Sequence, residues 1–91
     1  MSHTLNHTST AIITGASSGI GLGLAQAYLA RGYNVVGNAR SAQRLAAAAE
    51  TLGHSERFLG VEGDIADPAT ATQLVERAID RFGQVLSLIH I

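Results

Sequence analysis

The stretch Thr14-Gly15-Ala16-Ser17-Ser18-Gly19-Ile20-Gly21 decides the fold. It follows Ser9-Thr10-Ala11-Ile12-Ile13-Thr14, a short segment rich in β-branched residues that reads as a buried parallel strand. It leads into a run from Gly19 to Arg31 in which Ile20, Leu24, Ala27 and Tyr28 recur at helical spacing, with Gly32 as the stop. Glycines placed where a strand hands over to a helix have distinct physical uses. Gly15 permits a tight reversal, Gly19 removes a Cβ where a diphosphate approaches the main chain, and Gly21 lets helix and strand pack closely. The helix N-terminus offers unpaired N–H groups and partial positive charge to phosphate, and Ser17 and Ser18 can add hydroxyl donors. The segment therefore predicts a dinucleotide-binding turn.

Two alternatives compete with that reading. A phosphate loop of the NTPase kind needs a lysine and then Ser or Thr after its last glycine, whereas Ile20-Gly21 stands here and all six basic residues of the chain are arginines. A plain glycine-rich turn is the other, and the strand and helix on either side weigh against it. Gly23, inside the helix at a cost of roughly 1 kcal/mol relative to alanine, is predicted to be a close-packing point rather than a binding residue.

Working outward, Tyr33 to Asn38 predicts a second strand, and Ser41 an N-cap for a helix running to Leu52 with Leu45, Ala49 and Leu52 facing inward and Gly53 ending it. Arg57 to Glu62 predicts a third strand. Asp67-Pro68 is a strong helix start, because the carboxylate caps free amides and proline has no N–H to leave unpaired at the first helical position. In the helix that follows, Ala71, Leu74, Val75, Ala78, Ile79 and Phe82 form an apolar stripe, with Glu76, Arg77, Asp80 and Arg81 on a solvated face. Val85 to Ile89 can begin a fourth strand. This alternation predicts parallel strands with right-handed crossovers, an α/β sheet covered on both faces, with ligands bound beyond the strands' carboxyl ends at a switch point between the first and fourth strands.

Composition excludes several function classes. With 91 residues there is one domain at most, since compact domains usually run about 100–150 residues. A 46% hydrophobic, 14% charged chain with net charge −1 is globular, neither a disordered polyelectrolyte nor a basic nucleic-acid arm. The absence of cysteine removes disulfides, zinc ribbons and thiol catalysis and fits a reducing compartment. No apolar run approaches the roughly 18 residues of a membrane span, and Met1 to His7 has neither part of a signal peptide, so a cytoplasmic protein without membrane partners is expected. Residues 1–8 read as a flexible tail. His3, His7, His54 and His90 show no ligand spacing, so no metal site is expected.

The end of the second strand, Gly37-Asn38-Ala39-Arg40, is the second diagnostic place. A carboxylate there would bond the ribose hydroxyls of NAD, whereas a guanidinium can pair with the 2′-phosphate of NADP. No acid stands at this edge, so NADP is favoured over NAD; the alternative is that Arg40 is an exposed arginine near a helix start. Asp64, after the third strand, can accept from an adenine amino group or be an ordinary turn residue.

Thr14 to Gly21, Gly37 to Arg40, Gly63-Asp64-Ile65 and Arg81-Phe82-Gly83 together resemble, in order and spacing, the N-terminal half of a short-chain dehydrogenase/reductase over Ser9 to Val85. The resemblance implies a partial Rossmann fold, a doubly wound parallel α/β sheet of three to four strands with three helices. It implies that Thr14, Gly15, Ser17, Ser18, Gly19, Ile20 and Gly21 surround the pyrophosphate, that Arg40 holds the 2′-phosphate, and that Asp64 and Ile65 contact adenine. The family's reaction is hydride transfer between a nicotinamide, here NADPH, and a small-molecule carbonyl or alcohol, and the full-length enzyme is expected to be a homo-oligomer.

The family's tyrosine, lysine and serine of catalysis have no counterpart. Tyr28 and Tyr33 lie in the first helix and second strand, and no lysine follows either; the Asn-Asn-Ala-Gly segment is missing too. The chain is therefore expected to be a coenzyme-binding fragment, inactive alone, with an unpaired sheet edge and a small core that favour weak binding, partial unfolding or aggregation. A non-catalytic dinucleotide-binding module is the alternative. Leu86-Ser87-Leu88-Ile89-His90-Ile91 departs from the family pattern and is what CTG TCT CTT ATA CAC ATC encodes, a transposase end used as a sequencing adapter, so residues 86–91 are expected to be non-native.

Overall fold

The alternating signals are realised as β1 (Thr10–Thr14), α1 (Gly19–Ala30), β2 (Asn34–Ala39), α2 (Ala42–Leu52), β3 (Phe58–Glu62), α3 (Pro68–Phe82) and β4 (Ser87–Ile89). The computed structural model describes residues 9–16, 19–53, 56–83 and 87–89. The expected N-terminal tail, Ser17, Ser18, His54, and Leu86, His90 and Ile91 of the final hexapeptide lie outside the described residues. The strands form one parallel sheet in the order β3-β2-β1-β4, so the direction of winding reverses between β1 and β4, where the sequence places the switch point. β4 falls within the hexapeptide expected to be non-native. Its pairing with β1, Ala11 opposite Ser87 to Ile13 opposite Ile89, is a main-chain interaction and is indifferent to coding origin.

Because successive side chains of a strand point to opposite faces, the sheet builds two cores. On one face Ile13, Val35 and Phe58 meet Ala25 and Leu29 of α1 and Leu52 of α2; on the other Ile12, Val36 and Val61 meet Leu74 and Ala78 of α3. Ile12, Ile13, Val35 and Val36 are fully buried, each contributing about 1.5–3 kcal/mol by removal from water. The helix ends follow local chemistry. Ser41 Oγ accepts from Arg44 N, Asp67 accepts from Ala69 N beside Pro68, and Gly53 and Gly83 take left-handed φ of 73° and 90° at the C-caps of α2 and α3.

Two faces differ from expectation. The buried positions of α1 are Gly21, Ala25 and Leu29, with Leu24 and Tyr28 only partly covered and Ile20 73% exposed. This helix is apolar around nearly its whole circumference, so periodicity gives it no direction, and contact between Gly21 and the preceding turn sets its rotation. In α3 the stripe divides: Leu74 and Ala78 are buried and Phe82 packs beside them, whereas Ala71, Val75 and Ile79 face outward. The sheet here covers only one side of the stripe.

Candidate coenzyme cleft

The carboxyl ends of β1, β2 and β3 converge on a cleft of about 340 Å³ bordered by Thr14 and Gly15 from β1 and its turn, Asn38, Ala39 and Arg40 from β2, Ser41 and Arg44 from the start of α2, and Ile65 beyond β3. The turn after β1 is one that only glycine makes without strain: Gly15 and Gly19 have φ of 68° and 61°. A Cβ on Gly21 would collide with the carbonyl of Gly15, so α1 lies directly against the turn, as close packing at Gly21 predicts. Gly23 is different. It is exposed and an added Cβ would meet nothing within 4 Å, which corrects its expected role; Gly21, two residues earlier and on the covered face, makes the close contact instead.

The turn is tied to the sheet through β2. Ala16 is fully buried and its N–H donates to Asn38 O at 3.1 Å, so the main chain after β1 bends over the end of β2. The turn after β3 is tied to the same strand, with Gly63 N donating to Ala39 O at 3.0 Å and the Asn38 side-chain amide donating to Val61 O and Gly63 O. Asp64 Oδ1 accepts from Ala66 N at 2.9 Å, an Asx turn that leads into the Asp67 cap of α3.

Of the residues singled out in sequence, Thr14, Gly15, Arg40 and Ile65 border one cleft, and Asp64 Oδ2 lies 3.9 Å from Arg40 Nη2. Gly19, Ile20 and Gly21 open α1 beside the glycine turn rather than lining the cleft, and Ser17 and Ser18 lie outside the described residues. Three features went unread in sequence. Arg44 adds a second guanidinium to the cleft; its place in the first turn of the helix, three residues after the Ser41 cap, was the available signal. Asp64 brings an acid to Arg40 from the turn after β3, although none stands at the end of β2 itself. Asn38, an amide inside a strand, joins the two turns. Tyr28 and Tyr33 pack edge to face with centroids 4.8 Å apart at the amino end of β2, the opposite end of the sheet from the cleft. Among the described residues there is no grouping of three metal-ligating side chains and no helix long and apolar enough to cross a membrane.

This arrangement has counterparts over nearly its whole length. The short chain dehydrogenase family matches residues 9–90. The chain belongs to that family. It is 40% identical over 80 residues to L-rhamnose 1-dehydrogenase (NAD(P)(+)) of Sphingomonas sp. (strain SKA58), covering 84% of this chain and 31% of that protein. Against the 3-oxoacyl-[acyl-carrier-protein] reductase FabG of Escherichia coli (strain K12), identity is 35% over 80 residues, covering 88% and 32% of the two chains. The L-sorbose reductase of Gluconobacter frateurii, solved in complex with NADPH and L-sorbose, superposes with a TM-score of 0.81 at 37% identity, covering 89% of this chain and 32% of that one. A short-chain dehydrogenase/reductase of Brucella melitensis gives a TM-score of 0.84 at 34% identity, with 88% and 34% covered. The chain thus spans about a third of the length of these relatives.

Proposed function

We propose that this chain is the coenzyme-binding part of an NADP-preferring oxidoreductase that interconverts a small-molecule carbonyl and alcohol. The observation that carries the reading is the turn between a central strand and α1, whose Gly15 and Gly19 both take left-handed φ and whose Gly15 lines a cleft also bordered by Arg40. The residues fit a dinucleotide. Gly21 allows α1 to close against the turn, and the first amides of α1 provide donors and partial positive charge for a diphosphate.

In this reading Thr14, Gly15, Ser17, Ser18, Gly19, Ile20 and Gly21 hold the pyrophosphate, Asp64 and Ile65 the adenine, and Arg40 the 2′-phosphate. Arg40 is exposed and free to swing toward a ligand, and Arg44 on the same wall adds positive charge that favours a phosphate over a hydroxyl. The bound coenzyme supplies the hydride. Proton transfer falls to residues beyond this segment, because both tyrosines lie at the far end of the sheet. The absence of cysteine supports a reducing compartment such as the cytoplasm.

The test is made on the full-length protein recovered by extending the reading frame in the source DNA. A Tyr-x-x-x-Lys pair is expected downstream, with NADPH-dependent carbonyl reduction and a lower KM for NADPH than for NADH. Equal KM values for both coenzymes would remove the NADP preference. Steady reductase turnover by the 91-residue chain alone would contradict the assignment of proton transfer to a missing part.

A further inference from the structure

An asparagine inside a β-strand is out of place by propensity, since Asn is depleted in strands and its amide must find partners when buried. Asn38 is only 2% exposed, yet it occupies the middle of the sheet between Thr14 of β1 and Val61 of β3. Its Nδ2 donates to Val61 O at 3.0 Å and to Gly63 O at 3.1 Å. Two backbone carbonyls fix the orientation of the amide, because reversing it would set its own oxygen against both. The main chain of the same residue accepts from Ala16 N at 3.1 Å. One residue therefore holds the turn after β1 and the turn after β3, and stands two positions before Arg40.

We propose that Asn38 is a positioning residue for the adenosine end of the coenzyme cleft: it sets the distance between the wall carrying Asp64 and Ile65 and the wall carrying Arg40. The inference rests on the coenzyme reading. β3 is the outer strand of the described sheet, so its carboxyl end has β2 on one side only. Around that end the strand partner supplies the Gly63 N to Ala39 O bond, and the Asn38 amide supplies the grip on the two carbonyls flanking Glu62. Without it, Val61 O and Gly63 O lose their side-chain donor, and the loop that carries Asp64 and Ile65 is held by fewer bonds. Arg40, which follows β2 directly, keeps its place. The contribution of Asn38 is therefore to adenosine as a whole and not to the 2′-phosphate.

The experiment compares Asn38→Thr and Asn38→Val in the full-length protein. The two substituents share a shape and suit a strand, and differ in one hydroxyl donor. The probes are 5′-AMP and 2′,5′-ADP by calorimetric titration, with steady-state kinetics in NADPH. Asn38→Val is expected to raise Kd for both probes about tenfold, leaving their ratio unchanged, and Asn38→Thr about threefold. The kinetic loss is expected in KM for NADPH rather than in kcat. A merely structural lesion would reduce the amount of folded enzyme, hence apparent kcat, and leave Kd in place; that result overturns the proposal. So does equal, unchanged affinity in the two variants. Should Asn38→Val not fold, Asn38→Thr decides alone, and wild-type Kd values in it overturn the proposal. Failure of the unsubstituted full-length protein to bind either probe would instead overturn the coenzyme reading itself.

Discussion

Arg40 and Asp64 face each other across the ends of β2 and β3, with Nη2 and Oδ2 3.9 Å apart and both side chains largely exposed, at 81% and 52%. An exposed pair at that separation holds the guanidinium weakly, so a phosphate that pairs with it by two charge-assisted bonds displaces the carboxylate at little cost. Replacing Arg40 by alanine should therefore weaken 2′,5′-ADP by about 10- to 100-fold while leaving 5′-AMP nearly unaffected. Parallel titrations at low and physiological salt check this, and equal losses for the two ligands would refute the assignment of Arg40.

The same pair predicts an effect of opposite sign. Asp64 is the internal competitor of the 2′-phosphate, and Asp64→Asn removes its charge while keeping a carbonyl acceptor for the adenine amino group. Affinity for 2′,5′-ADP should rise by about threefold in that variant, most clearly at low ionic strength. A fall in 2′,5′-ADP affinity matched by a fall in 5′-AMP affinity would show that the carboxylate matters more to adenine than to Arg40.

Gly21 and Gly23 lie two residues apart in one helix and should respond oppositely to alanine. A Cβ at Gly21 meets the Gly15 carbonyl, a backbone group that cannot turn aside, so Gly21→Ala should cost about 1–3 kcal/mol or more and distort the turn. At Gly23 the added methyl meets nothing within 4 Å, and Gly23→Ala should stabilise by about 0.5–1 kcal/mol through helix propensity. Thermal unfolding of both variants measures this, with the Gly23→Ala midpoint expected about 1–4 °C higher in the full-length protein.

What could be read from sequence divides along the range of the interactions involved. The Asp67-Pro68 start of α3, the Ser41 cap and the Gly53 end of α2 are set by chemistry within one helical turn, and each stands where the sequence places it. The glycine turn is legible for the same reason. The rotation of α1 is not, because Ile20, Leu24, Ala27 and Tyr28 are matched by an equally apolar row through Gly21, Ala25 and Leu29, and only the contact of Gly21 with Gly15 chooses between them. Asn38 and the Arg40–Asp64 pair were illegible on other grounds. Their partners lie more than twenty residues away along the chain, and neither shows until β2 and β3 are paired in register.

Among the described residues Thr10 Oγ1 has no hydrogen-bond partner, and the residue itself is fully covered at the first position of β1. A buried hydroxyl in that state costs about 1–3 kcal/mol of desolvation, and valine preserves both the shape and the β-branching. Thr10→Val is expected to raise stability by about 1 kcal/mol, visible as a higher denaturant midpoint at unchanged m-value. A loss of stability would mean that the hydroxyl has a partner in solution.

Val75 and Ile79, 40% and 51% exposed, form with Ala71 an apolar row along α3 that the sheet leaves uncovered. Large apolar side chains one turn apart touch each other but leave their outward surface in water, so such a row favours either association or burial under further chain. The relatives are about three times as long as this chain, and in a protein of that length further chain is available to cover the row. The double substitution Val75→Glu with Ile79→Lys separates the contexts. In the 91-residue chain it should reduce aggregation, since the row faces water and a Glu–Lys pair at this spacing supports the helix. In the full-length protein it should destabilise by about 1.5–3 kcal/mol per site, because each side chain then leaves an apolar contact. Light scattering of the segment and denaturant unfolding of the parent give the two readings. Improved stability in both proteins would mean that this face of α3 stays in solvent throughout.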